Sequence, residues 1–236
     1  MAGEMVRFSS NGGEAPGYLA TPDSGKGPGV VVIQEWYGLN ANIKSVADRL
    51  AGEGYVALAP DLYHGQEAKE PDTAQKLMMA MKMDEAAKDM SGAVDYLLNH
   101  EAVAPKKIGS VGFCMGGGLS LFLATIKPID AAVSYYGVVG AQPDFSKVQG
   151  SVLGHYAEND PFASPEVARG LEKQLKDHGK DAEFHIYKGA THAFAHEMFE
   201  SELDPKVKLP FPYSYDEEAA RTSWKRTLDF FKEHLS

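Results

Sequence analysis

The run Lys107-Ile108-Gly109-Ser110-Val111-Gly112-Phe113-Cys114-Met115-Gly116-Gly117-Gly118 joins an apolar strand pattern to a glycine-rich helix start through one residue, Cys114. This is the G-x-nucleophile-x-G elbow, with cysteine in the place more often held by serine. So tight a turn strains the backbone of the nucleophile and leaves no room for side chains two positions before and after it. Gly112 and Gly116 occupy those two positions. The turn would also set the sulfur at a helix N-terminus, where the dipole and unpaired N–H groups favour a thiolate. The Met115 N–H would then point at a developing oxyanion. An isolated cysteine is more often a small buried hydrophobe, and glycine runs often serve close helix packing. Here a strand ends at the one cysteine of the chain and a helix begins beside it. That context favours the nucleophile.

Outward from the elbow, short apolar runs alternate with longer segments of helical period. This is the pattern of an α/β fold, a mostly parallel sheet with helices on both faces. Strands are predicted at 29–34, 55–59, 107–113, 131–136, 151–157 and 183–188, most of them continuous apolar runs suited to burial on both faces. Helices are predicted at 43–53, 72–83, 84–99, 115–125, 165–178 and 216–235. Asn42 is the expected cap of the first, and Ser164-Pro165 is the start signal of the fifth. Asn11-Gly12-Gly13 reads as the turn of an N-terminal antiparallel hairpin. The segment 198–215, with Pro205, Pro210 and Pro212, reads as an irregular loop near the C-terminal face, a candidate lid or interface. No repeat or linker divides the chain, so residues 1–236 are expected to form one domain.

Composition narrows the function. With 44% hydrophobic and 24% charged residues the chain is globular, neither disordered nor collagen-like. A formal net charge of −10 gives no electrostatic footprint for nucleic acid or an anionic membrane. Purely apolar runs such as Val30 to Ile33 are only a few residues long, too short to span a bilayer, and Met1 to Ser10 lacks the apolar core of a signal peptide. The expected location is therefore the cytoplasm. One cysteine excludes an intrachain disulfide and a cysteine-based metal cluster. No H-E-x-x-H spacing occurs either, so no metal is expected.

Candidate partners for Cys114 follow it in the order nucleophile, acid, histidine, the order of an α/β-hydrolase triad. Asp160 follows the strand predicted at 151–157, and His192 follows the one at 183–188. In those places His192 would take the thiol proton, Asp160 would fix its tautomer, and Cys114 would attack an ester-type carbonyl. Asp160 also suits an ordinary turn before proline, and most of the eight histidines must be structural. His192 stands out by its position after the last strand.

With these residues in place the chain resembles the dienelactone hydrolase family of the α/β-hydrolase superfamily over nearly its whole length. The resemblance is carried by Gln34-Glu35-Trp36-Tyr37-Gly38-Leu39-Asn40, Ala59-Pro60-Asp61-Leu62-Tyr63, the Cys114 elbow, Tyr135-Tyr136-Gly137, Asp160 and His192-Ala193-Phe194. It implies an α/β-hydrolase fold and the carboxymethylenebutenolidase reaction. That reaction hydrolyses enol lactones from aromatic compound degradation through a Cys-His-Asp triad and an acyl-enzyme, without a cofactor. It implies further that Glu35 contacts the nucleophile in the resting enzyme and that the Trp36 N–H joins that of Met115 in the oxyanion hole. A carboxylate beside a thiol raises the cost of a free thiolate and tempers its reactivity.

Well-studied members of the family hold the substrate carboxylate with two arginines. One lies four residues after the catalytic histidine, where this chain has His196; the other lies near Lys76, in a stretch without arginine from Arg49 to Arg169. Imidazole does not replace a guanidinium fork without loss. His196 is the expected substrate-binding cation, with Lys69 and Lys76 as the next candidates. The expected function is hydrolysis of a lactone or small carboxylic ester. The alternatives are a broader carboxylesterase or thioesterase, or a non-catalytic module that binds a ligand or senses oxidants through Cys114. The expected partner is a small-molecule lactone or ester, with no nucleic acid and no membrane, acting on a monomer, a dimer being the alternative.

Overall fold

Val30, Val31, Val32 and Ile33 are wholly buried, as the middle of a sheet covered on both faces requires. The computed structural model describes residues 3–140, 143–197 and 213–236. The loop expected at 198–215 lies outside the described residues, apart from 213–215. The order is β1 (Glu4–Ser10), β2 (Gly13–Ala20), β3 (Gly27–Ile33), α1 (Ala41–Gly52), β4 (Val56–Pro60), α2 (Pro71–Ala80), α3 (Met83–Asn99) and β5 (Val103–Phe113). Then come α4 (Met115–Ile126), β6 (Ala131–Tyr135), β7 (Ser151–Ala157), α5 (Pro165–Asp177), β8 (Ala182–Tyr187) and α6 (Glu217–Leu235).

The strands form one sheet in the order β1-β2-β4-β3-β5-β6-β7-β8. β1 and β2 pair antiparallel, as do β2 and β4, and the rest run parallel. Asn11 and Gly12, with φ of 54° and 75°, make the two-residue turn of the expected hairpin. α1 and α6 cover one face, where the Arg49 guanidinium lies 4.1 Å over the Trp224 ring. α3, α4 and α5 cover the other. From β3 the chain moves to one side for β4 and later returns on the other side for β5. That reversal opens a crevice beyond the C-terminal ends of β3 and β5. Glu35 and Trp36 follow one of those ends, and Cys114 follows the other.

Several boundaries differ from expectation. The helix expected at 72–83 stops at Ala80, Met81 and Lys82 are extended, and Met83 opens α3. Asn40, not Asn42, caps α1: its Oδ1 accepts the Ile43 N–H at 3.1 Å. β5 begins at Val103, paired to Gly27 across a register shift. No described helix is long and apolar enough to cross a membrane.

Candidate active site

Cys114 is half-buried between β5 and α4, at φ 54° and ψ −118°. Its N–H donates to the Tyr135 carbonyl at 3.0 Å, and its own carbonyl accepts from Gly117 at 3.0 Å. The glycines are sterically required: a Cβ on Gly112 would lie 1.9 Å from the Gly116 carbonyl oxygen, and one on Gly116 would lie 2.4 Å from that of Ile33. The strain at Cys114 is thus held by three strands packed against the turn.

Asp160, on the loop after β7, turns both oxygens to use. Oδ1 accepts the N–H groups of Phe162 and Ala163 at 2.8 and 3.0 Å, and Oδ2 lies 2.7 Å from Nδ1 of His192. Burial works against the carboxylate, but His192 and those two N–H groups outweigh it and hold Asp160 below the usual carboxylate range. His192 follows β8 and is bridged to Tyr213. Its ring is edged by Tyr136 and Phe162, with centroids 5.1 and 5.3 Å away. With Nδ1 on Asp160, the other ring nitrogen is the one left for its hydrogen bond to Cys114. Burial opposes the imidazolium, yet a thiolate at Cys114 and then Asp160 overcome it and push His192 up to about 10. The three side chains expected to act together are together.

Trp36 and Met115 lie beside Cys114 in a cavity of about 920 Å³. The Met115 N–H lies at the start of the first turn of α4, where the helix itself supplies it no acceptor. Tyr63, to which the sequence assigned no role, ties these two residues together. Its hydroxyl donates to the Trp36 carbonyl at 3.1 Å and lies 3.7 Å from the Met115 sulfur. Asp61 shapes the turn that presents Tyr63, accepting from the N–H groups of Tyr63 and Gly65 at 3.1 and 2.6 Å. The signal was present as Asp-Leu-Tyr directly after a strand, but nothing in it says which carbonyl the phenol reaches.

Glu35 also lines the cavity. Burial first, then the nearby charges of Glu35 and a thiolate at Cys114, push the Tyr136 phenol up. Oε2 of Glu35 lies 2.6 Å from Nδ1 of His196, with the side chains 2% and 1% exposed. The contact has ion-pair distance without hydrogen-bond alignment. His196 was expected at the substrate; it lies buried against Glu35, and the cavity lining does not include it. Lys69 pairs with Glu67 in solvent, Lys76 is exposed on α2, and neither lines the cavity.

The chain is similar to known proteins over nearly its whole length. The model of the dienelactone hydrolase family matches residues 15–235. A protein of Aquifex pyrophilus named Protein usf is 39% identical, covering 99% of this chain and 100% of its own. An Aquifex aeolicus protein provisionally named carboxymethylenebutenolidase is 36% identical, covering 99% of each chain. The crystal structure of a protein provisionally named dienelactone hydrolase from Klebsiella pneumoniae superposes with a TM-score of 0.84 at 28% identity, over 98% of both chains. The fold is that of the α/β hydrolases.

Proposed function

From the premise that the chain belongs to the dienelactone hydrolase family and is a carboxylic ester hydrolase, we propose that it cleaves a lactone or small carboxylic ester through a Cys114-His192-Asp160 triad. The observation that carries the reading is one continuous contact path. Asp160 is 2.7 Å from His192, and His192 is hydrogen-bonded to a cysteine held at φ 54° on an elbow.

The steps follow from residue type. His192 takes the thiol proton before the attack, as an imidazolium held by the thiolate and Asp160, and the thiolate sulfur then forms a bond to the substrate carbonyl carbon. The carbonyl electron pair moves onto oxygen, where the N–H groups of Trp36 and Met115 stabilise it. Collapse of the tetrahedral species breaks the C–O bond, and the proton on His192 goes to the departing alkoxide. In a lactone that alcohol stays tethered to the acyl group. Water, deprotonated by His192, then attacks the thioester; the C–S bond breaks and the thiol recovers its proton. Asp160 keeps His192 in the tautomer that points toward sulfur.

Cys114→Ala is expected to lower kcat/KM on an aryl acetate by a factor on the order of 10⁶, and His192→Ala nearly as much. Asp160→Asn should cost about 10⁴ by favouring the wrong tautomer. Activity of Cys114→Ala within tenfold of wild type, with an unchanged circular dichroism spectrum, would overturn the triad.

A further inference from the structure

The walls of the cavity beyond the reacting atoms are apolar. Met115, Gly118, Leu119 and Phe122 line it at the spacing of a single face of α4. Met78, Met81 and Met83, around the junction of α2 and α3, supply a second wall. The segment after β6 adds Val138, Val139 and Pro143, and the loop after β7 adds Pro161 and Phe162. Among the described residues no lysine or arginine lines the cavity. Lys82 lies between two of the methionines, but its ammonium is directed to Glu85 at 2.9 Å in solvent. The mouth is apolar too: Met83, Val138 and Phe162 are 46%, 43% and 48% exposed.

A substrate carboxylate entering such a cavity would give up its hydration without gaining a cation among the described residues, and it would face the carboxylate of Glu35. An apolar chain would gain at every methylene, and methionines adapt to its shape. From Met115 to Phe122 the α4 face runs about 10 Å, enough for a chain of several carbons beyond the carbonyl. A volume of about 920 Å³ is at the upper end of ordinary small-molecule sites and far exceeds what a bare small lactone needs.

Building on the assignment of Cys114 as nucleophile, we propose that this cavity selects neutral esters or lactones bearing an apolar chain and disfavours substrates bearing a carboxylate. The test measures kcat/KM of the wild-type protein at pH 7.5 on two sets. One is para-nitrophenyl acetate, butyrate and hexanoate; the other is a carboxylate-bearing lactone and its methyl ester. Activity should rise about threefold per added methylene until the slot is full. The methyl ester should exceed the acid by about tenfold or more. Met83→Arg, at the exposed rim, should shift the acid-to-ester ratio about tenfold toward the acid, whatever it does to the absolute rate. A wild-type preference for the acid, or a flat chain-length profile, overturns the selection and leaves the triad standing. Neutral-ester turnover that persists in Cys114→Ala overturns the triad instead, and a protein that cleaves neither set overturns both.

Discussion

Two buried side chains of opposite potential charge, Glu35 and His196, touch at 2.6 Å. Each is costly to bury alone and tolerable beside the other. Glu35 shares the cavity wall with Cys114, and the proposed role of the pair is to set how much negative charge the thiol meets. Removing either member should move the thiol in opposite directions. Glu35→Gln deletes an anion that opposes the thiolate and should speed alkylation by iodoacetamide by about three- to tenfold. His196→Gln leaves that anion uncompensated and should slow alkylation by a similar factor. Alkylation followed over pH 6 to 9, with circular dichroism as a control on folding, distinguishes this from a packing role, which would move both variants the same way. The three residues of the proposed triad could be picked out in the sequence because each follows a strand, and strand ends can be read locally. The surroundings of His196 were not. Its spacing from His192 suggested a substrate contact, whereas its partner follows β3, on the far side of β5 in the sheet, and the sequence does not print that closeness.

The docking of α6 on the sheet passes through one buried histidine. His155 of β7 is wholly buried. Its Nε2 lies 3.1 Å from Thr227 Oγ1 and its Nδ1 2.9 Å from the Tyr187 hydroxyl. That hydroxyl accepts from Arg226 at 3.1 Å, so it has its own proton to give to Nδ1, and Nε2 carries the ring proton toward Thr227. A second ring proton would displace the tyrosine's. Burial first, then the charges of His185 and Arg226, hold His155 well below the ordinary histidine range. His185 is shifted the same way, by burial and then Arg226. The unfolded chain therefore takes up protons near pH 6.5 that the native state refuses. The stability these histidines contribute is fully present above that pH and is lost as pH falls, by up to about 1.4 kcal/mol per pH unit for the fully buried His155. Thermal denaturation from pH 7.5 to 5.5 should show Tm falling more steeply in wild type than in His155→Gln; parallel slopes would remove His155 from the acid sensitivity. The elements themselves were largely legible, since buried strands and amphipathic helices differ in period. Their ends were not. Met78 to Met83 keeps a helical pattern across the break at Met81-Lys82, with no glycine or proline to mark it. Pro105 conceals the early residues of β5 because proline argues against a strand interior.

For the whole molecule, charge and topology act on the same crevice. The sheet reversal at β3 and β5 places the reacting atoms where both strand ends open, and the chain around them carries a formal net charge of −10. Such a field lowers the local concentration of anions at the cleft and leaves neutral molecules unaffected. Its range depends on salt, shrinking from about 30 Å at 0.01 M to about 8 Å at 0.15 M. A carboxylate-bearing lactone should therefore be cleaved more efficiently as salt rises, by about two- to fivefold in kcat/KM from 10 to 300 mM sodium chloride. Its methyl ester, measured alongside, should change little, which separates screening from any effect of salt on folding or on the thiol. The gain belongs in KM, because screening alters how often the anion occupies the cleft and not how the bound carbonyl reacts. The opposite slope, acid turnover falling as salt rises, would mean that a cation faces the entering substrate and outweighs the molecule's net charge. In that event the apolar walls set by α4 and the α2–α3 junction would not govern selection, and the recognition of charge would have to be sought at the mouth.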